Sequence, residues 1–201
     1  PALAARASDS GRTERIAAEL KTLGLFRGVS DTDFALDRAP TRSEAIVMLV
    51  RLLGKETAAF EMHYSHPFTD VPVWADPYVG YAYRNGLTKG ISADKLGDDD
   101  VTCAMFLTFV LRALGYKEGE NGDFTWDDPY AAAAKAGIVS GDVSVEKFTR
   151  GDVVKISWCA LHAVEKDTEQ TLGAGLVSAG AITEKALEDA DTVLSDIPFT
   201  R

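Results

Sequence analysis

Two four-residue stretches carry a charge pattern that points at an anion. Thr41-Arg42-Ser43-Glu44 and Thr149-Arg150-Gly151-Asp152 each set a hydroxyl, a guanidinium and a carboxylate at the start of a run with helical periodicity. A threonine and an acid three residues on form a capping box, each accepting one of the helix's first free amides. The box accounts for Thr41 with Glu44 and for Thr149 with Asp152. It does not account for the arginines. A cation in the first turn faces the positive end of the helix dipole, at a cost of roughly a few tenths of a kcal/mol. The placement becomes favourable when an anion sits there, because amides, dipole and guanidinium all point at it. The plainer reading of Arg42 and Arg150 is a surface ion pair between helices. The matching stretch Thr102-Cys103-Ala104-Met105 lacks both arginine and acid. A groove relying on that position is expected to bind weakly or not at all.

Carbohydrate recognition wants aromatic faces beside polar groups, and Trp74, Tyr78, Tyr81, Trp126 and Tyr130 are candidates. For Trp74 and Trp126 the usual burial of aromatics favours an ordinary core role instead. Arg27 and Lys89 each precede the second glycine of a Gly-apolar-x-x-Gly turn, with Ser140 in the third copy. They are open to a ligand role or to favourable charge at a helix C-terminus. His63 and His66 lack a third ligand, which argues against zinc. Asp98, Asp99 and Asp100 lack EF-hand spacing and read as solvated charge rather than a calcium site. Two cysteines are too few for a disulfide framework. Cys103 and Cys159 sit about 13 Å apart in height on equivalent helices, at 1.5 Å per residue, and both are expected to be free. No nucleophile, base or paired carboxylate is assembled by any motif, so no enzyme activity and no cofactor are expected.

The elements that hold these residues repeat. GLFRG (24–28), GLTKG (86–90) and GIVSG (137–141) each follow a helical stretch and lead through a polar loop to a second helix. The second helices open at Thr41, Thr102 and Thr149. Counted from the threonine, positions +5, +9 and +12 are apolar in all three: Ile46, Val50, Leu53; Leu107, Leu111, Leu114; Val154, Trp158, Leu161. That spacing is one face of an α-helix. WADPY (74–78) and WDDPY (126–130) place Asp76 and Asp128 as N-caps ahead of Pro77 and Pro129. The first unit opens with a plainer helix from Thr13. Past Glu165, short helices are expected over 172–180 and after Thr183. The reading is all-α: three helix–loop–helix units at about 13–59, 66–119 and 124–164, with 165–201 as a helical extension or linker.

The composition of the 201 residues fits an ordinary globular protein, with 46% hydrophobic and 26% charged. Lys and Arg total 21 against 31 Asp and Glu, for a net charge of −10. That balance argues against nucleic acid and against anionic membranes, both of which need clustered cations. No apolar run approaches the roughly 20 residues of a membrane span. The chain begins at Pro1, and PALAARA is rich in small residues, as sequence near a secretory cleavage site is.

The repeated motifs resemble the S-layer homology (SLH) family, whose units come in threes. The second unit carries Phe68, Asp70, Val71, Trp74, Ala82, Gly86, Leu87 and Gly90, then Thr102, Leu111, Arg112, Leu114 and Gly115. The first keeps Phe34, Thr41, Arg42, Ser43, Glu44, Arg51 and Gly54. The third keeps Phe124, Trp126, Gly137, Ile138, Gly141, Phe148, Thr149, Arg150 and Asp152. The resemblance implies a pseudo-threefold helical prism that anchors a protein at the bacterial cell surface. It implies binding of secondary cell-wall polysaccharide through a pyruvylated sugar, whose ketal carries a carboxylate. Self-association on a scaffold that has lost some glycan sites is the alternative, with a further domain in a longer protein also open.

Overall fold

The structure is a computed structural model. It describes residues 2–197, with side chains from Ser10 onward; Pro1, the side chains of the stretch that follows it and residues 198–201 lie outside it. The helices among the described residues are α1 (Ala2–Thr22), α2 (Arg42–Leu52), α3 (Glu56–Met62), α4 (Asp76–Arg84), α5 (Cys103–Ala113), α6 (Tyr130–Lys135), α7 (Arg150–His162), α8 (Leu172–Ser178) and α9 (Glu184–Val193). There is no strand among them, only isolated bridges such as Thr41 with Asp100. The all-α expectation holds.

The three threonines cap α2, α5 and α7 through their hydroxyls, and the full box forms at Thr41 with Glu44 and at Thr149 with Asp152. The faces read at +5, +9 and +12 are buried, Leu53 being half-buried. They meet because α2, α5 and α7 each pack on the other two. Phe106, Leu49, Leu107, Leu111 and Ile156 are fully enclosed in the resulting core. Each first helix ends at a glycine with positive φ: Gly24 at 75°, Gly86 at 70° and Gly137 at 72°. The next residue's amide returns to the last turn, as from Leu87 to the Ala82 carbonyl at 2.8 Å. Only glycine adopts that backbone without strain, which explains the shared turn.

Four expectations need correction. α1 begins well before Thr13, which is a buried mid-helix residue and no cap. Asp76 is not an N-cap: Val73–Ala75 already forms a 3-10 turn, and Asp76 continues it at φ −49° and ψ −48°. Its carboxylate instead faces His66 Nε2 at 3.1 Å. Asp128 caps nothing either, because α6 starts at Tyr130 with Pro129 in the capping position. Finally, α3 is an additional helix after α2, packed on α2 and α4.

The extension folds back onto the repeats. α8 packs on α7 and α9 on α8. Leu172, Leu176, Ile182, Leu194 and Ile197 are buried. Arg15 on α1 reaches Asp196 with Nη1 at 2.9 Å and Nη2 at 2.8 Å. The described part of this segment is thus packed against the rest of the fold.

Candidate functional site

Arg42 and Arg150, each the first residue of its helix, take their partners from the next unit and not from their own. Arg42 and Arg150 lie 8% and 4% exposed. The Arg42 amide donates to the Asp99 carbonyl at 3.0 Å, and the Arg150 amide to the Arg38 carbonyl at 2.9 Å. Ser43 N donates to Asp98 Oδ1 at 2.7 Å, and Gly151 N to the Leu36 carbonyl at 2.9 Å. The free amides expected to greet an external anion are thus already taken by the neighbouring loop. Asp98 is correspondingly a partner of the α2 N-terminus and not merely solvated charge. What the grooves offer is the guanidinium side chain.

The two arginines differ in how far the protein satisfies them. Arg150 Nε donates to the Phe34 carbonyl at 2.9 Å, Nη2 to the Arg27 carbonyl at 3.2 Å and Nη1 to Met48 Sδ at 3.6 Å. The Phe26 ring lies 5.4 Å from the guanidinium carbon. Arg42 Nη1 donates to the Leu96 carbonyl at 2.9 Å and Nη2 to Met105 Sδ at 3.2 Å, while Nε is buried with no partner. Met105 takes the place, counted from the threonine, that Glu44 holds in the first unit. Glu44 lies close enough to Arg150 to stabilise its charge. The Met105 thioether gives Arg42 no such neutralisation from that position, although Asp99, Asp98 and Asp70 lie within electrostatic reach. Burial depresses both guanidinium pKa values.

Beside Arg42 lies a pocket of about 400 Å³ whose wall draws on three units: Arg42 from the first, Lys89, Thr108 and Arg112 from the second, Trp126 from the third. Lys89 Nζ sits 2.8 Å from Glu118 Oε2, and Arg112 Nη2 sits 2.5 Å from the same oxygen. Burial raises the Glu118 pKa, but hydrogen bonds from Lys89 and Arg112 more than offset it and hold the carboxylate charged. Three cations therefore face one carboxylate in this pocket, inside a chain of net charge −10. The first unit repeats the ion cluster: Arg27 Nη2 to Glu56 Oε2 at 2.6 Å and Arg51 Nε to Glu56 Oε1 at 2.9 Å, with the Tyr78 hydroxyl also on Glu56.

Trp74 and Trp126 are 55% and 67% exposed, which overturns their reading as core residues. Each heads a first helix where its ring projects from the surface; Trp126 lines the Arg42 pocket. Tyr78 is buried instead, against Glu56 and Phe60. Tyr81 and Tyr130 are half-buried. His63 and His66 go separate ways, His63 Nδ1 lying 3.0 Å from the Glu61 carbonyl oxygen.

The place that corresponds to the Arg42 and Arg150 sites at the start of α5, termed the third groove, is chemically different. Cys103 replaces the first-turn arginine, and Cys159, ten residues after Thr149, stands where Arg51 and Arg112 stand in the other units. Ser140 replaces Arg27 and Lys89. Both thiols are free and buried, which pushes their pKa values up to about 11 for Cys103 and about 12 for Cys159. Lys155 Nζ is held by the Asp142 carbonyl at 3.0 Å, with Asp142 Oδ2 at 3.5 Å and Asp152 Oδ1 at 3.8 Å. The cysteine exchange at two arginine positions was legible from the aligned repeats; the pairing of each arginine with the following unit was not.

The fold and the Arg42 pocket define a class: an all-α domain with an exposed indole beside a buried guanidinium group. No known protein-family profile matches the chain. It is similar to a cell surface protein of Thermoanaerobacter kivui, 39% identical over 132 residues, covering 62% of this chain and 16% of that protein. It is 28% identical over 148 residues to a middle cell wall protein of Brevibacillus brevis, covering 71% and 14%. A surface layer protein of Brevibacillus choshinensis matches at 31% over 112 residues, covering 54% and 10%. The chain thus matches about a sixth or less of the length of these relatives.

Proposed function

We propose that the chain is a non-enzymatic anchoring module of the bacterial cell surface, with an SLH-like triplet over about 13–164 that 165–197 closes. Its ligand is cell-wall polysaccharide, bound through the carboxylate of a pyruvylated sugar. The supporting observation is the Arg42 pocket, whose wall carries three cationic side chains and one carboxylate, an arginine with a partnerless buried nitrogen and an exposed Trp126. The guanidinium and Lys89 would meet the carboxylate, and a sugar C–H face would pack on Trp126. The relatives' names place them at the bacterial surface or cell wall, which supports the same reading. Arg150, with Arg27 and Trp74 at the corresponding motif positions, is a second and more internally satisfied candidate. Thr41, Glu44, Thr149 and Asp152 serve by building the helix starts rather than by touching ligand.

Isothermal titration with purified pyruvylated cell-wall polysaccharide tests this reading. Arg42→Ala and Trp126→Ala are each expected to weaken binding by at least about tenfold, the usual loss for a charge-assisted contact or a stacking face. Parent-like affinity in both variants contradicts it. Self-association is the competing reading, favoured by exposed Ile91 beside Trp126 at the same pocket. It predicts concentration-dependent oligomers that Trp126→Ala dissolves.

A further inference from the structure

Three buried side-chain polar atoms among the described residues have no partner: Arg42 Nε, Ser43 Oγ and Thr108 Oγ1. Two of the three residues, Arg42 and Thr108, line the same pocket. A buried donor or hydroxyl left unpaired is costly, and folded proteins rarely keep one without a use for it. Thr108 stands six residues after Thr102, on the core-facing stretch of α5, and is 4% exposed. The same position holds Val47 in the first unit and Lys155 in the third. Val47 is apolar and needs nothing. Lys155 is tied to Asp142 and Asp152. Of these three residues, Thr108 alone combines an unpartnered hydroxyl with a place in the wall of the Arg42 pocket.

We propose that Thr108 is a specificity-determining residue of the Arg42 pocket, its hydroxyl and Arg42 Nε together supplying the unmet hydrogen bonds for a carboxylate-bearing sugar, so that this groove is the principal site of the three. The inference rests on the glycan reading above and assigns that reading's ligand to one groove. A carboxylate suits both groups, since its oxygens accept from a guanidinium and from a hydroxyl alike. The other grooves lack the pair: Arg150 has a partner on each of its three nitrogens, and the third groove has no first-turn arginine.

The test sets binding against stability. Thr108→Val keeps the shape and removes the hydroxyl; Thr108→Ser keeps the hydroxyl. Titration with pyruvylated cell-wall polysaccharide is expected to show about tenfold or greater weakening in Thr108→Val, as for a lost hydrogen bond to a charged group, and affinity within about twofold of the parent in Thr108→Ser. The ligand-free Thr108→Val protein is expected to melt at or above the parent's temperature, because an orphaned hydroxyl has been removed. Parent-like binding by Thr108→Val, or a clear drop in its melting temperature, overturns the inference. If Arg42→Ala loses binding while Thr108→Val does not, the glycan reading stands and the role of Thr108 fails. If the parent itself does not bind, both fail together.

Discussion

The partners of each first-turn guanidinium set how much of it is left for a ligand. Arg42 and Arg150 share a helix position and a capping box, yet one keeps a bare buried nitrogen and the other does not. The difference traces to their neighbours, Met105 and Leu96 for one, Phe34 and Arg27 for the other. Neither could be read from the four-residue motif, because every partner lies in the next unit. The cysteines show the same logic from the opposite side. Burial raises their pKa values to about 11 and about 12, so almost no thiolate exists near neutral pH. Both are expected to resist a thiol-reactive dye in the native protein and to react fully in denaturant. Rapid labelling of either in the folded state would show that the third groove is open.

The elements were legible where the pattern is local. The +5, +9 and +12 faces, the capping threonines and the glycine turns are fixed within a dozen residues, and all formed as read. Asp76 and Asp128 misled because a cap depends on the backbone before it, and the 3-10 turn at Val73–Ala75 had already started the helix. Trp74 and Trp126 misled because hydrophobicity does not say which side of a helix start faces out. The closing helices α8 and α9 were visible as helices, but their attachment was not. Leu176 lies on the buried face of α8 and contributes to that attachment. Leu176→Ala is expected to cost about 3 kcal/mol, which lowers the melting temperature by roughly 6–12 °C in a domain this size. An unchanged melting curve would mean that the extension is not docked in solution.

At the scale of the molecule, the acidic surplus and the cationic grooves coexist because the cations are local and framed. Glu44, Glu56, Glu118 and Asp142 all have pKa values below their ordinary range. Burial raises each one, and hydrogen bonds from Arg38, from Tyr78 and Arg51, from Lys89 and Arg112, and from Ser140 more than offset it. The folded state therefore binds these protons less readily than the unfolded chain does. Their stabilisation is complete above the ordinary carboxylate range near pH 4 and is lost as pH falls through the lowered values. Thermal melts are expected to be flat from pH 7 to about pH 5 and to fall steeply below about pH 4. A steep loss already between pH 7 and 6 would place the sensitive groups elsewhere.

On the proposed reading each site engages only a few charges, so binding is expected to weaken only modestly with salt, unlike that of a polyelectrolyte binder. The central claim is that the protein holds its glycan by a ketal carboxylate. Titration of the unaltered protein with purified cell-wall polysaccharide, before and after mild-acid removal of the pyruvate ketals, tests it most directly. Saturable binding to the pyruvylated polymer that disappears with the ketals is the predicted result; equal binding to both forms, or to neither, contradicts it.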